Sequence, residues 1–207
     1  MESCFISDFL DRRFAARARA YEGSFGKVFA RFDTLVAGCV KKTHAEDANR
    51  YKYKLDFSAS RRIGRRMLYP EIYFETASGF VLCVHGAARD IPIAVIGFEK
   101  KSKRLVIRQL QGVKGAKEYL CPLHWERLLY RAVILFGREL KLEAVHVLPA
   151  CQSPYHPFGN PEAAQKLTPE ECEVRAQRMH LVYDREPVRC GFKWCENTRT
   201  FAFTLSQ

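Results

Sequence analysis

The sequence predicts an α+β protein, a mixed and mostly antiparallel sheet flanked by helices and preceded by an N-terminal helical extension. Three observations carry this. Strand-like runs at 69–76, 80–86, 91–98 and 104–110 follow one another through short turns. A long apolar stripe at helical spacing comes next, and a further apolar run at 144–148 comes after it. Short turns force the four early runs into an antiparallel meander, whereas an intervening helix lets 104–110 and 144–148 lie side by side in parallel.

The extension is helical because Phe14, Ala18, Tyr21, Phe25, Val28, Phe32, Leu35 and Cys39 recur in steps of three and four. Gly23, Ser24 and Gly26 interrupt the stripe, so two helices or one kinked helix are expected, starting near Asp8 or Asp11. Tyr51, Tyr53, Leu55 and Phe57 then alternate with Lys52, Lys54 and Asp56, the period of a short strand. Arg61, Arg62, Arg65 and Arg66 mark a solvated connector into the meander.

The helix after the meander is expected to take Pro122 into its first turn, with Trp125, Leu128, Leu129, Ala132, Val133, Phe136 and Leu140 on one face. Residues 149–168 read as a long loop. Residues 169 to about 183 read as a helix, with Glu170 and Glu171 complementing its dipole. Runs at 192–195 and 200–205 close the chain as a hairpin. No internal repeat is present, which argues against a solenoid.

At 207 residues the chain suits one core with an extension, divided as a basic helical region at 1–68 and an α+β domain at 69–207. No apolar run approaches the ~18 residues that span a bilayer. The start, Met1-Glu2-Ser3-Cys4-Phe5, lacks the features of a signal peptide and of a myristoylation site, so a cytoplasmic protein is expected. The eight cysteines are scattered and several lie inside apolar runs, which fits reduced thiols; none has the paired spacing of a zinc site. Residues 1–68 hold 15 Lys or Arg against 8 Asp or Glu, a net of +7 out of +11 for the chain. Such a surface favours anionic partners, and the arginine clusters Arg12, Arg13, Arg17, Arg19 and Arg61 to Arg66 suit weak, unspecific contact with nucleic acid as well as a solvated helix face.

Meander, glycine-bearing loop, long helix, buried strand, helix and a Gly-Phe before a closing hairpin is an element order that resembles the GNAT (Gcn5-related) N-acetyltransferases over about two thirds of the chain. Its local pieces are Gln111-Gly112-Val113-Lys114-Gly115-Ala116 after the fourth run, and Tyr183-Asp184 with Gly191-Phe192 ahead of the hairpin. The resemblance implies an acyl-CoA-dependent N-acyltransferase with acetyl-CoA or another acyl-CoA as co-substrate and an amine as acceptor. It implies that Leu110, Gln111, Gly112, Val113, Lys114, Gly115 and Ala116 bind the cofactor, their backbone N–H groups meeting the pyrophosphate and that near Leu110 polarising the thioester carbonyl.

Pro187 stands where many members carry a tyrosine that protonates the departing thiolate, and Tyr183, one helical turn earlier, is the candidate in its place. In the absence of a strand glutamate, His146 is the candidate base. Ser153, Tyr155, His156 and Phe158 are placed to line the acceptor site. Each has a plainer reading: a strand-to-helix turn for the glycine loop, a structural tyrosine for Tyr183, and an edge histidine for His146. A non-catalytic protein of the same fold, contacting an anionic partner through its basic N-terminal helices, is the rival function.

Overall fold

The computed structural model describes residues 21, 23–58, 76, 78–153, 155–165 and 167–205. Arg12, Arg13, Arg17, Arg19 and Arg61 to Arg66 therefore lie outside the described residues, as does the run 69–76 apart from Thr76.

One seven-stranded sheet organises the rest: β1 Tyr53–Ser58, β2 Ser78–Val84, β3 Ile91–Lys101, β4 Arg104–Gly112, β5 Ala144–Val147, β6 Lys193–Cys195 and β7 Thr200–Thr204. Their order across the sheet is β1-β2-β3-β4-β5-β7-β6. Every neighbouring pair is antiparallel except β4 and β5, which are parallel. The strand that flanks β2 is the alternating stretch from Tyr53, with Leu55 opposite Leu82 and Phe57 opposite Phe80.

β2 and the centre of β3 are buried on both faces, which is why they read as continuous apolar runs rather than as alternating ones. On the helical side, α1 (23–30) and α2 Phe32–Ala37 bury Val28 and Phe32 in the same core as the sheet. Phe80 is its hub: its ring centroid lies 5.1 Å from that of Phe98, 5.3 Å from Phe136 and 5.9 Å from both Phe25 and Phe57. Edge-to-face and tilted contacts of this kind add to the area term.

The long helix differs from expectation at its start. Two helices, α4 Lys117–Leu120 and α5 Trp125–Glu139, replace the one that was to begin at Pro122. The cause lies more than 80 residues away in sequence. Lys41 N–H donates to the Pro122 carbonyl at 2.9 Å and His124 N–H donates to the Cys39 carbonyl at 2.8 Å, so 122–124 pairs with 39–41 instead of continuing a helix. α3 Ala45–Asn49 follows that pairing.

α5 then crosses back over the sheet, its stripe of Leu128, Leu129, Ala132, Val133 and Phe136 fully buried, and delivers the chain to β5 parallel to β4. The loop beyond β5 carries a 3₁₀ turn at Ala150–Gln152 and α6 Pro161–Ala164. α7 Pro169–His180 starts at a capping box, with Thr168 and Glu171 each receiving the other's backbone N–H. It does not run to residue 183 as an α-helix: Leu181–Arg185 is a π-helical turn, and α8 Glu186–Arg189 follows. Among the described residues no helix is long and apolar enough to cross a membrane.

Candidate functional site

β4 and β5 pair only in part. Arg104 stands opposite Ala144 and Ile107 opposite Val147, and the last bond between the two stretches is Leu148 N–H to the Ile107 carbonyl at 3.2 Å. At that height β4 is irregular: Gly97 of β3 faces Gln109 while Phe98 faces Ile107, so Arg108 is an extra, bulged residue. Beyond it the strands part, and Leu110 turns its backbone N–H and C=O towards a gap rather than a neighbour.

The π-helical turn closes this gap with three consecutive residues tied to three different elements. The Val182 carbonyl accepts from the Tyr130 hydroxyl of α5 at 3.0 Å. Asp184 Oδ1 accepts from Ala150 N–H, just beyond β5, at 3.0 Å. Between them Tyr183, 7% exposed, reaches Leu110: its hydroxyl oxygen accepts from the Leu110 N–H at 2.7 Å and its proton goes to the Leu110 carbonyl at 3.2 Å. One hydroxyl thus satisfies two buried backbone groups that a strand partner would otherwise have satisfied.

Above Tyr183 lies a cleft of about 520 Å³, bordered by Leu110, Gln111 and Gly112 of β4, by Trp125 at the start of α5, and by Arg175 and Arg178 of α7. Ser153 and Tyr155 close its other side. It opens into a second hollow of about 840 Å³ that shares Gln111, Gly112, Trp125 and Arg178. This second part runs over the whole Gln111 to Gly115 turn and onto Lys117, with Lys41 facing the turn from the N-terminal segment. Among the described residues its lining holds one carboxylate, Glu126, whose pKa burial pushes up. Lys41, Lys114, Lys117, Arg175 and Arg178 therefore leave the cleft cationic along its length.

Gly115 is needed where it stands: its φ of +88° is a left-handed conformation that strains side-chain-bearing residues. Nothing lies within 4 Å of the position a Cβ would take there, so the backbone is open to the hollow. At Gly112 space is the limit, because a Cβ would stand 3.2 Å from Leu120 Cδ1 and 3.7 Å from Trp125 Cζ2. Ala116 is buried at the entry to α4.

Leu110, Tyr183 and the glycine turn are thus brought to one cleft. His146 is not among its lining residues; it sits in β5 with Nδ1 2.8 Å from the Thr200 hydroxyl of β7, and burial holds its pKa below the usual value. Ser153 and Tyr155 line the cleft, Phe158 is 68% exposed, and His156 is buried with neither ring nitrogen hydrogen-bonded to a described residue. Trp125, Arg175, Arg178 and Lys41 were not anticipated. The α7 pair had a signal, since Arg175, Arg178, Met179 and Val182 share one helical face. Lys41 had none, because it arrives through a long-range pairing.

No group of three or more His, Cys, Asp or Glu side chains placed to hold a metal ion occurs among the described residues. No family model and no curated protein matches the chain in sequence.

Proposed function

We propose that the protein is an acyl-CoA-dependent N-acyltransferase of the GNAT type, acting on an amine acceptor. The observation that carries this reading is the parted β4–β5 pair with Tyr183 on the backbone of Leu110. A thioester carbonyl entering the gap can take the Leu110 N–H in place of the tyrosine oxygen, and that N–H then stabilises the charge that develops as a neutral amine attacks. The displaced Tyr183 hydroxyl would then lie beside the reacting carbon, donate its proton to the leaving thiolate and, as the tyrosinate, take up the proton that the attacking amine sheds. The cationic turn from Gln111 to Lys117 suits the pyrophosphate of the cofactor, with Lys114 and Lys117 offsetting its charge. The acyl group and amine are thereby held together, which lowers the entropic part of the barrier.

Calorimetric titration with coenzyme A and acetyl-CoA tests the reading. Binding in the micromolar range is expected, weakened in Lys114→Ala by a few fold because that side chain is exposed and screened. Absence of binding at millimolar ligand sinks it.

One observation favours a second reading, a non-catalytic protein of the same fold that binds an anionic partner such as nucleic acid: Tyr183 already saturates both backbone groups of Leu110. A protein that binds coenzyme A yet acylates no amine from a broad panel supports this rival over the enzyme.

A further inference from the structure

The cationic end of the cleft carries a second group of reactive side chains that the proposed reaction leaves unused. The pairing of 39–41 with 122–124 sets the 3₁₀ turn Lys42–His44 against the end of α4. Lys41 Nζ donates to the Cys121 carbonyl at 2.7 Å and fastens the two stretches together. As a result His44 Nε2 lies 4.0 Å from Cys121 Sγ, although 77 residues separate them in sequence. The other ring nitrogen, His44 Nδ1, lies 3.2 Å from Asp47 Oδ2. Arg50 Nη1 holds the remaining Asp47 oxygen at 3.4 Å. This is a thiol, an imidazole and a carboxylate in the order nucleophile, base and orienting group.

We propose that Cys121, with His44 as its base and Asp47 orienting the imidazole, is a thiol–disulfide exchange site for small anionic disulfides. With the Nδ1 proton directed at Asp47, His44 Nε2 is free to accept the proton of the Cys121 thiol. The sulfur attacks one sulfur of the disulfide, the reagent's S–S bond breaks as the new one forms, and the leaving thiolate takes the proton back from His44. No further oxidant is needed.

The anionic preference comes from the surroundings. Cys121 is exposed and lines the same hollow as Lys41, Lys114 and Lys117, where Glu126 is the one carboxylate among the described residues. Other described thiols are placed differently. Burial pushes the Cys39 thiol up and that of Cys190 up to about 12, whereas Cys151 is exposed, and Cys195, in the closing hairpin, is lowered by hydrogen bonding from Thr198. The product would place an anionic group over the Gly112 to Lys117 turn, so that disulfide state controls entry to the basic end of the cleft. The exchange step itself does not depend on the acyltransferase reading.

The test follows each cysteine of the full, reduced chain by peptide mass spectrometry after brief exposure to the dianionic dithiobis-nitrobenzoate or the neutral dithiodipyridine. With Cys151 as the internal comparison, the anionic reagent should favour Cys121 by about tenfold at low salt, and the preference should fall as salt rises. His44→Ala should slow Cys121 by about tenfold towards both reagents while leaving Cys151 and Cys195 unchanged, and added imidazole should restore part of the rate. Oxidised glutathione and coenzyme A disulfide, used in separate arms, identify the source by the mass added at Cys121. An unchanged Cys121 rate in His44→Ala, or equal preference for the two reagents at Cys121 and Cys151, overturns the proposal. Because the readout is the mass added at each cysteine and not binding of coenzyme A to the cleft, failure of coenzyme A to bind there is a separate outcome.

Discussion

The same two strands behave differently along their length. In the lower half of the β4–β5 pair, Leu105, Ile107, Val145 and Val147 are buried against α5, and their backbones exchange hydrogen bonds in register. In the upper half, the Leu110 backbone leans on a single tyrosine hydroxyl, and the space beside it is a cleft. The lower half is held by many dispersed contacts, none of which is decisive alone. The upper half is held by one tyrosine hydroxyl, whose role as acceptor for the Leu110 N–H a ligand carbonyl can take over at little net cost, because a hydrogen bond exchanged for another changes the free energy far less than one left unmade; its bond to the Leu110 carbonyl is not replaced that way.

The largest expected effect is on the closed side. Phe80→Ala empties a position ringed by Phe25, Phe57, Phe98 and Phe136 and should cost about 3–5 kcal/mol in urea denaturation. A loss under about 1 kcal/mol would mean that the aromatic cluster repacks and that the closed half is not the rigid one. Tyr183→Phe is the matching change on the open side. It strands the Leu110 N–H and carbonyl, both dependent on that hydroxyl, and should cost about 1–3 kcal/mol. Saturating acetyl-CoA should recover part of this loss, since its carbonyl supplies a new acceptor for the N–H.

Smaller changes separate conformation from space in the glycine turn. Gly115→Ala should cost about 1 kcal/mol through its positive φ alone, as the site is open. Gly112→Ala instead meets Leu120 and Trp125, so its cost depends on whether those side chains can move by a few tenths of an ångström. Thermal unfolding of both variants, with and without coenzyme A, distinguishes them: only at Gly115 should the ligand-free cost be accompanied by no change at Trp125 fluorescence.

The closed half was legible in the sequence and the open half was not. Continuous apolar runs in β2 and β3, alternation in β1 and the stripe of α5 are local patterns, and each became the element it indicated. The α4–α5 break at Pro122 depends on hydrogen bonds to the Cys39 carbonyl and from the Lys41 N–H, residues that no window around position 122 contains. The π-helical turn is similar, because its register answers to Tyr130, Leu110 and Ala150 in three other elements. Tyr183 was legible as a residue type at an informative place, whereas its partner was fixed only by topology. His146 was chosen for its chemistry, and its strand position directs it instead to Thr200.

The smallest effect compares the two halves through their buried histidines. His146 belongs to the paired half and has Thr200 as a partner; His156 is buried near the cleft rim and has no hydrogen-bond partner among the described residues. Burial lowers the pKa of both, and of His124, so the fold prefers each imidazole neutral; the charge of His180 adds to the effect at His156. The unfolded chain protonates its histidines near the usual value of about 6.5. As pH falls through that value the unfolded state gains protons that the folded state refuses. Stability is therefore constant above the window and is lost progressively below about pH 7 until the lowered folded values are reached, with a slope of at most about 1.4 kcal/mol per pH unit for each proton. His156→Leu should flatten this slope and, since it removes two unsatisfied nitrogens from a buried site, should leave stability at neutral pH unchanged or raised. His146→Leu should flatten it too but cost stability at neutral pH, because Thr200 is buried and loses a partner. Denaturation curves at several pH values check both, and an unaltered slope in His156→Leu would show that this imidazole takes up its proton in the folded protein as readily as in the unfolded chain.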